Sequence, residues 1–144
     1  NYARPGKECK HNIGYWERVD YLGFGIGAAS KIGNKRFRNT ENREKYIAFP
    51  TESYEEIQEL SMAEEMEETM FLGLRLVEGV SLEKFRKLFG VAMESVYGDV
   101  IKKHIAEGLL KIMQKEDEKY LCLTDKGRDV CNYVMSDFLE PVLF

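Results

Sequence analysis

The chain has 144 residues, 44% hydrophobic and 32% charged, with a net charge of −4. That length and balance suit one core, or a small domain with an appendage, and exclude a disordered chain. No apolar run approaches the roughly 20 residues that cross a bilayer and no signal-peptide pattern opens the chain, so no transmembrane segment is expected.

Asn1–Ala3 and Tyr21–Ile26 read as short buried strands, the second consistent with an inner barrel strand, with a turn or short helix over Asn12–Arg18 between them. Thr40–Ala48 reads as a short helix ended by Pro50, and residues 50–60 as a linker or a frayed acidic helix. Ser61 and Glu64 fit a capping box ahead of Met66, Met70, Phe71 and Leu74 at helical spacing, a helix expected to end near Gly79. Ser81 caps a helix over Leu82–Phe89 that Gly90 stops. Glu94–Glu107 forms a third, with Val96, Tyr97, Val100, Ile101 and Ile105 as its buried stripe and His104 at the stripe's edge, closed by Gly108. Leu109–Met113 and Tyr120–Leu123 read as strands around the turn Gln114–Lys119, and Thr124 caps a last helix carrying Val130, Val134 and Phe138. Cys131, within that helix, reads as a small core residue. Cys9, Cys122 and Cys131 are scattered and odd in number, which suits a reducing, cytoplasmic setting.

Charge is uneven along the chain: residues 1–50 carry +5, residues 51–80 carry −8 and residues 81–144 carry −1. The acidic segment reads as a solvated face. Three helices, a hairpin and a helix are the order of a winged-helix unit, which raises nucleic-acid binding. Residues 94–123, the recognition helix and wing of such a unit, hold five Lys against six Asp/Glu, whereas phosphate-backbone binding rests on a basic footprint, so no nucleic-acid partner is expected.

The densest chemistry lies at His11-Asn12-Ile13-Gly14-Tyr15-Trp16 and the Gly-rich run Gly23-Phe24-Gly25-Ile26-Gly27-Ala28-Ala29-Ser30. A neutral imidazole can ligate iron, so His11 is the candidate metal ligand. In a helix His11 and Tyr15 share a face, with Trp16 beside them and Asn12 placed to orient the imidazole. Glycines without a Cβ let backbone approach a ligand closely. These are parts of a site for a large planar anion, and Arg4, Lys7, Lys10, Lys35, Arg36 and Arg38 have the sign to attract its carboxylates. On spacing alone, a hydrogen-bonded structural histidine is the commoner reading of His11 and core packing that of Tyr15 and Trp16, while a solvated basic surface accounts for the cations equally well. The glycine run matches no phosphate loop, since the later glycine of the dinucleotide fingerprint and a Gly-Lys-Ser/Thr are both missing.

Asn1-Tyr2-Ala3-Arg4-Pro5-Gly6, the His-Asn-x-x-Tyr-Trp motif, Tyr21-Leu22 and the glycine run together resemble the oxygen-independent coproporphyrinogen III oxidase family of radical S-adenosylmethionine proteins. Met66–Leu76 with Glu78-Gly79-Val80 is similar to that family's helix opening the C-terminal domain, and Leu123–Arg128 to its closing motif, so the resemblance covers nearly the whole chain. His-Asn-x-x-Tyr-Trp marks the family's haem-chaperone branch. The resemblance implies an α+β fold: residues 1–50 as the end of a radical-SAM (β/α) partial barrel, 51–60 as a linker and 61–144 as a mainly helical, winged-helix-like domain. It also implies haem binding through His11, Asn12, Tyr15 and Trp16, and a cofactor-pocket wall made of Gly23, Gly25, Ile26, Gly27, Ala28 and Ser30. The implied function is haem binding and transfer to an acceptor protein. The alternative is oxidative decarboxylation of coproporphyrinogen III to protoporphyrinogen IX.

The family holds a [4Fe-4S] cluster, which works with S-adenosylmethionine, in a Cys-x-x-x-Cys-x-x-Cys motif, and the three cysteines here lack that spacing. The chain also opens at Asn1 without an initiator methionine, within what the family makes a barrel segment. It therefore reads as a C-terminal fragment that is not itself an enzyme. An incomplete barrel segment would expose apolar strands able to pair with a second copy as a homodimer.

Overall fold

Seven residues with no side-chain cap and no acidic residue in the first turn make α1 (Lys10–Trp16) too short to persist by propensity alone. It belongs to the larger of two compact units into which the chain divides. The computed structural model describes residues 3–139, and the units comprise residues 19–61, and residues 3–18 together with 62–139. This division by packing differs from boundaries at 50 and 60, because the segment carrying α1 joins the second half of the chain.

The smaller unit is an antiparallel sheet in the order β1 (Ala29–Ile32), β2 (Lys35–Asn39), β3 (Tyr54–Glu59), with α2 (Arg43–Ala48) between the last two strands. Gly33 at φ 58° reverses the chain between β1 and β2, and its N–H donates to Asp20 Oδ1 at 2.9 Å. Asn42 caps α2 by accepting from the Lys45 N–H, and Ser53 Oγ closes its other end by donating to the Phe49 carbonyl at 2.7 Å. The Phe37 and Tyr54 rings meet edge to face across the sheet, centroids 4.7 Å apart.

Several expectations for this stretch are corrected. Only Tyr21 of the expected strand Tyr21–Ile26 pairs, with Lys31; Gly25 at φ 106° and Gly27 at φ 66° bend the rest into a loop. The segment expected as linker or acidic helix contains β3, in which Glu59 and Glu55 stand opposite Lys35 and Arg38 of β2. Of the expected strand Asn1–Ala3, Asn1 and Tyr2 lie outside the described residues and Ala3 is in no strand.

In the larger unit α3 (Met62–Gly73) is followed by β4 (Val80–Ser81), α4 (Leu82–Phe89), α5 (Met93–Ala106), β5 (Leu110–Lys115), β6 (Glu118–Leu123), α6 (Asp125–Asp129) and α7 (Cys131–Ser136). β4 and β5 flank β6, both antiparallel to it. Ser81 Oγ accepts from the Lys84 N–H and Gly90 ends α4 at φ 73°, as the sequence predicts. The core gathers Met66, Met70 and Leu74, Phe85 and Phe89, Met93, Tyr97 and Ile101, Leu121 and Leu123, and Val134, Met135 and Phe138.

Details differ here too. α3 stops at Gly73, well before Gly79, and a Cβ at position 73 would press on the Val80 side chain. α5 is interrupted at Tyr97, whose φ of −116° and ψ of 15° leave the helical region. Ile105 is exposed, and His104 takes the inward place. The last helix is two, broken at the exposed Val130. Cys131 is half-buried at the margin of the core, while Cys122 is the buried thiol. Among the described residues no helix is long and apolar enough to cross a membrane.

Candidate functional site

α1 presents the His-Asn-x-x-Tyr-Trp residues, and none of its residues is fully buried. His11 is exposed, and its ring meets Tyr15 edge to face with centroids 4.7 Å apart and planes at 85°, the contact that spacing of four residues on a helix allows. Tyr15 keeps 39% of its surface accessible; Asn12 and Trp16 are half-buried. Among the described residues no hydrogen bond joins Asn12 to the His11 ring. The stretch ahead of the ring carries Arg4, Lys7 and Lys10, all exposed, with a turn closed by the Lys7 N–H donating to the Arg4 carbonyl at 2.9 Å.

A side chain outside the motif links the chain just after α1 to α3. Arg18, directly after the helix, donates from Nη1 to the Glu65 carbonyl at 2.9 Å and to Thr69 Oγ1 at 2.8 Å, and from Nη2 to Glu65 Oε1 at 2.9 Å. Its Nε faces Glu68 Oε2 at 3.5 Å. Glu65 and Glu68, expected on a solvated acidic face, are thus turned onto one guanidinium whose side chain is 12% exposed.

The Gly-rich residues lie in the smaller unit and form a fastened loop. The Gly23 N–H donates to Ser30 Oγ at 3.0 Å, and Asn39 Nδ2 donates to the carbonyls of Gly23 (3.1 Å) and Gly25 (2.8 Å). The Gly25 N–H donates to the Tyr46 hydroxyl at 3.0 Å and the Gly27 N–H to the Thr40 carbonyl at 3.2 Å. Gly23 is required because a Cβ there would run into the Ala29 carbonyl; Gly25 and Gly27 are required by their positive φ. Ser30 is buried with its oxygen spent on this loop, Gly23, Gly25, Gly27 and Ala28 are half-buried, and Ile26 and Phe24 project outward, Phe24 with 83% exposure. Asn39 and Tyr46, which hold the loop, are invisible to motif reading.

The second histidine is structural. His104 is fully buried, Nδ1 lies 2.9 Å from Glu107 Oε2 and Nε2 lies 3.0 Å from Asp137 Oδ2, and the Tyr133 ring meets it edge to face at 5.3 Å. Lys103 Nζ donates to the same Asp137 oxygen at 2.6 Å and holds that carboxyl below its ordinary value. Among the described residues no group of three or more His, Cys, Asp or Glu is placed to hold a metal ion. Haem iron can be anchored by a single protein ligand, and the His11 ring is exposed. An iron-sulfur cluster is not fitted: Cys9 is exposed, Cys122 buried on a strand and Cys131 on α7.

Residues 60–130 match the family model of the HemN C-terminal domain. The chain is 39% identical to the heme chaperone HemW of Lactococcus lactis over 140 residues and 35% identical to that of Bacillus subtilis over 142, in each case over 96% of this chain and 36% of the relative. Over residues 60–130 the chain carries a HemN C-terminal domain. It spans about a third of the length of these curated relatives. The fold is also similar to the coproporphyrinogen III oxidase HemN of Escherichia coli, a radical SAM enzyme, with a TM-score of 0.60 at 16% identity over 84% of this chain and 28% of that one. At that identity the likeness speaks for the HemN fold alone.

Proposed function

We propose that this chain is the part of a haem chaperone that presents an axial ligand: His11 binds haem iron, the Tyr15 and Trp16 rings lie against the macrocycle, and Arg4, Lys7 and Lys10 attract the propionates. The haem is cargo, held reversibly and passed to an acceptor protein. The observation that carries this reading is the exposed His11 ring braced edge-on by Tyr15 on α1, in a chain matched over 96% of its length by proteins named heme chaperones. An exposed imidazole suits a carrier, since a ligand that must be released gains nothing from deep burial. The larger unit, with its helices and hairpin, is read as a winged-helix-like docking module, and the hairpin's mixed charge suits a protein partner better than a nucleic acid. The Gly23–Ser30 loop is read as the wall of a cofactor pocket completed by a radical-SAM barrel, where a [4Fe-4S] cluster and S-adenosylmethionine would be held by residues other than Cys9, Cys122 and Cys131.

A hemin titration followed by absorbance tests the reading. The wild-type chain is expected to shift the Soret band and His11→Ala to abolish the shift while leaving the far-UV circular dichroism unchanged. Equal shifts from both proteins would overturn the assignment of His11.

A further inference from the structure

The helix that carries the candidate ligand has little local support. α1 has seven residues, no side-chain N-cap and no fully buried residue, so propensity alone does not set where His11 and Tyr15 point, and only the half-buried Ile13 and Trp16 give it an apolar face. Just past its C-terminal end stands one strained residue, Arg18, whose two terminal guanidinium nitrogens make three hydrogen bonds to α3. Arg18 adopts φ 57°, a region that L side chains seldom enter, and its N–H donates to the Tyr15 carbonyl at 3.1 Å, closing the helix. From that position the guanidinium reaches three residues of α3: Glu65 through both its carbonyl and its carboxylate, Thr69 through its hydroxyl, and Glu68 across 3.5 Å. Thr69 Oγ1 in turn donates to the same Glu65 carbonyl at 2.7 Å, so the acceptors are themselves held in register.

We propose that Arg18 is the positioning residue of the ligand helix: its guanidinium, forked between Glu65, Glu68 and Thr69 of α3, fixes α1 on the larger unit and so sets the angle at which His11 meets haem iron. This rests on the reading of His11 as the ligand. The fork matters as well as the charge. A planar guanidinium serves two acceptors in fixed directions, whereas an ammonium is a point charge on a flexible stem. Arg18 does not touch the haem; it acts through the helix it terminates.

Two substitutions separate the side chain from the backbone. Arg18→Gly keeps the left-handed turn and even relieves it, while removing the clamp. Arg18→Lys keeps the charge and loses the fork. Trp16 is the single tryptophan of the chain and reports the packing of α1 before any haem is added. In the 144-residue chain, with hemin as the probe, Arg18→Gly is expected to shift Trp16 emission to the red, to alter the Soret maximum, and to weaken hemin binding about tenfold, the scale of one lost charge-assisted hydrogen bond. Arg18→Lys is expected to fall between it and wild type, and His11→Ala to lose the Soret shift with Trp16 emission unchanged. If His11→Ala loses the shift but Arg18→Gly keeps wild-type hemin affinity and Soret maximum, positioning by Arg18 is overturned and the ligand reading stands. If His11→Ala retains the shift, or the wild-type chain shows none, the ligand reading falls and the role of Arg18 in ligation falls with it, even where Trp16 emission shows that Arg18 anchors α1.

Discussion

At the scale of single residues, the two histidines show how surroundings assign a role that residue type leaves open. His11 is exposed beside one ring; His104 is sealed between two carboxylates, Glu107 and Asp137, with Lys103 and Tyr133 closing the group. The Lys103 bond lowers the carboxyl of Asp137 from its ordinary 3.8, with His104 adding to the effect. A folded value below the unfolded one means that the carboxylate's contribution is complete above about pH 4 and is lost as the pH falls further through the folded value. Asp137→Asn leaves the buried His104 ring short of an ionised partner and is expected to cost about 1–3 kcal/mol at pH 7. Urea unfolding of variant and wild type should show that difference at pH 7 and a clearly smaller one at pH 3; an equal difference at both would mean that the charge of Asp137 is not what matters.

Among elements, close backbone approach decides more than propensity. α6 sits so near the start of β5 that a Cβ on Gly127 would strike the Leu109 carbonyl, the same oxygen that accepts from the Thr124 N–H at 2.9 Å. Gly98, within α5, has open space where its Cβ would stand. Gly127→Ala is therefore expected to cost about 3 kcal/mol by forcing α6 off the hairpin. Gly98→Ala should be neutral or gain up to about 1 kcal/mol from helix propensity. Thermal melts of the two alanine variants check this, and a Gly127→Ala protein as stable as Gly98→Ala would refute the close approach.

The same contrast separates the elements that were legible in the sequence from those that were not. Ser81, Gly90, Gly108 and Thr124 are local punctuation, and each acts within a few residues of where it stands, so α4, the extent of α5 and the hairpin were legible to within a residue or two. β1, β2 and β3 were not, because Lys-Arg-Phe-Arg-Asn and Tyr-Glu-Glu-Ile-Gln-Glu lack the alternation of apolar and polar residues that marks a half-buried strand. In the candidate site, the pairing of His11 with Tyr15 followed from helical spacing. Arg18 and Asn39 did not, since their partners lie 47 to 51 residues away in one case and 14 to 16 in the other, a distance no local pattern encodes.

Considered as a whole molecule, the chain joins a unit with a continuous core to one that is held mainly by backbone pairing and polar side chains. The α3–β4–α4–α5 segment and the β5–β6 hairpin account for most of that core, so its stability is spread over many side chains, with Phe85 meeting both Phe89 and Tyr97. The break in α5 at Tyr97 bears on time as well as shape. Torsions outside the helical region weaken the backbone bonds that straddle them, so the two stretches on either side of Tyr97 need not open together. In heavy water the amides of Gly98–Ala106 should exchange on their own clock, slower than those of Met93–Val96, and a single uniform rate along α5 would show that the bend is tightly sealed by the rings of Phe85 and Phe138 packed around it.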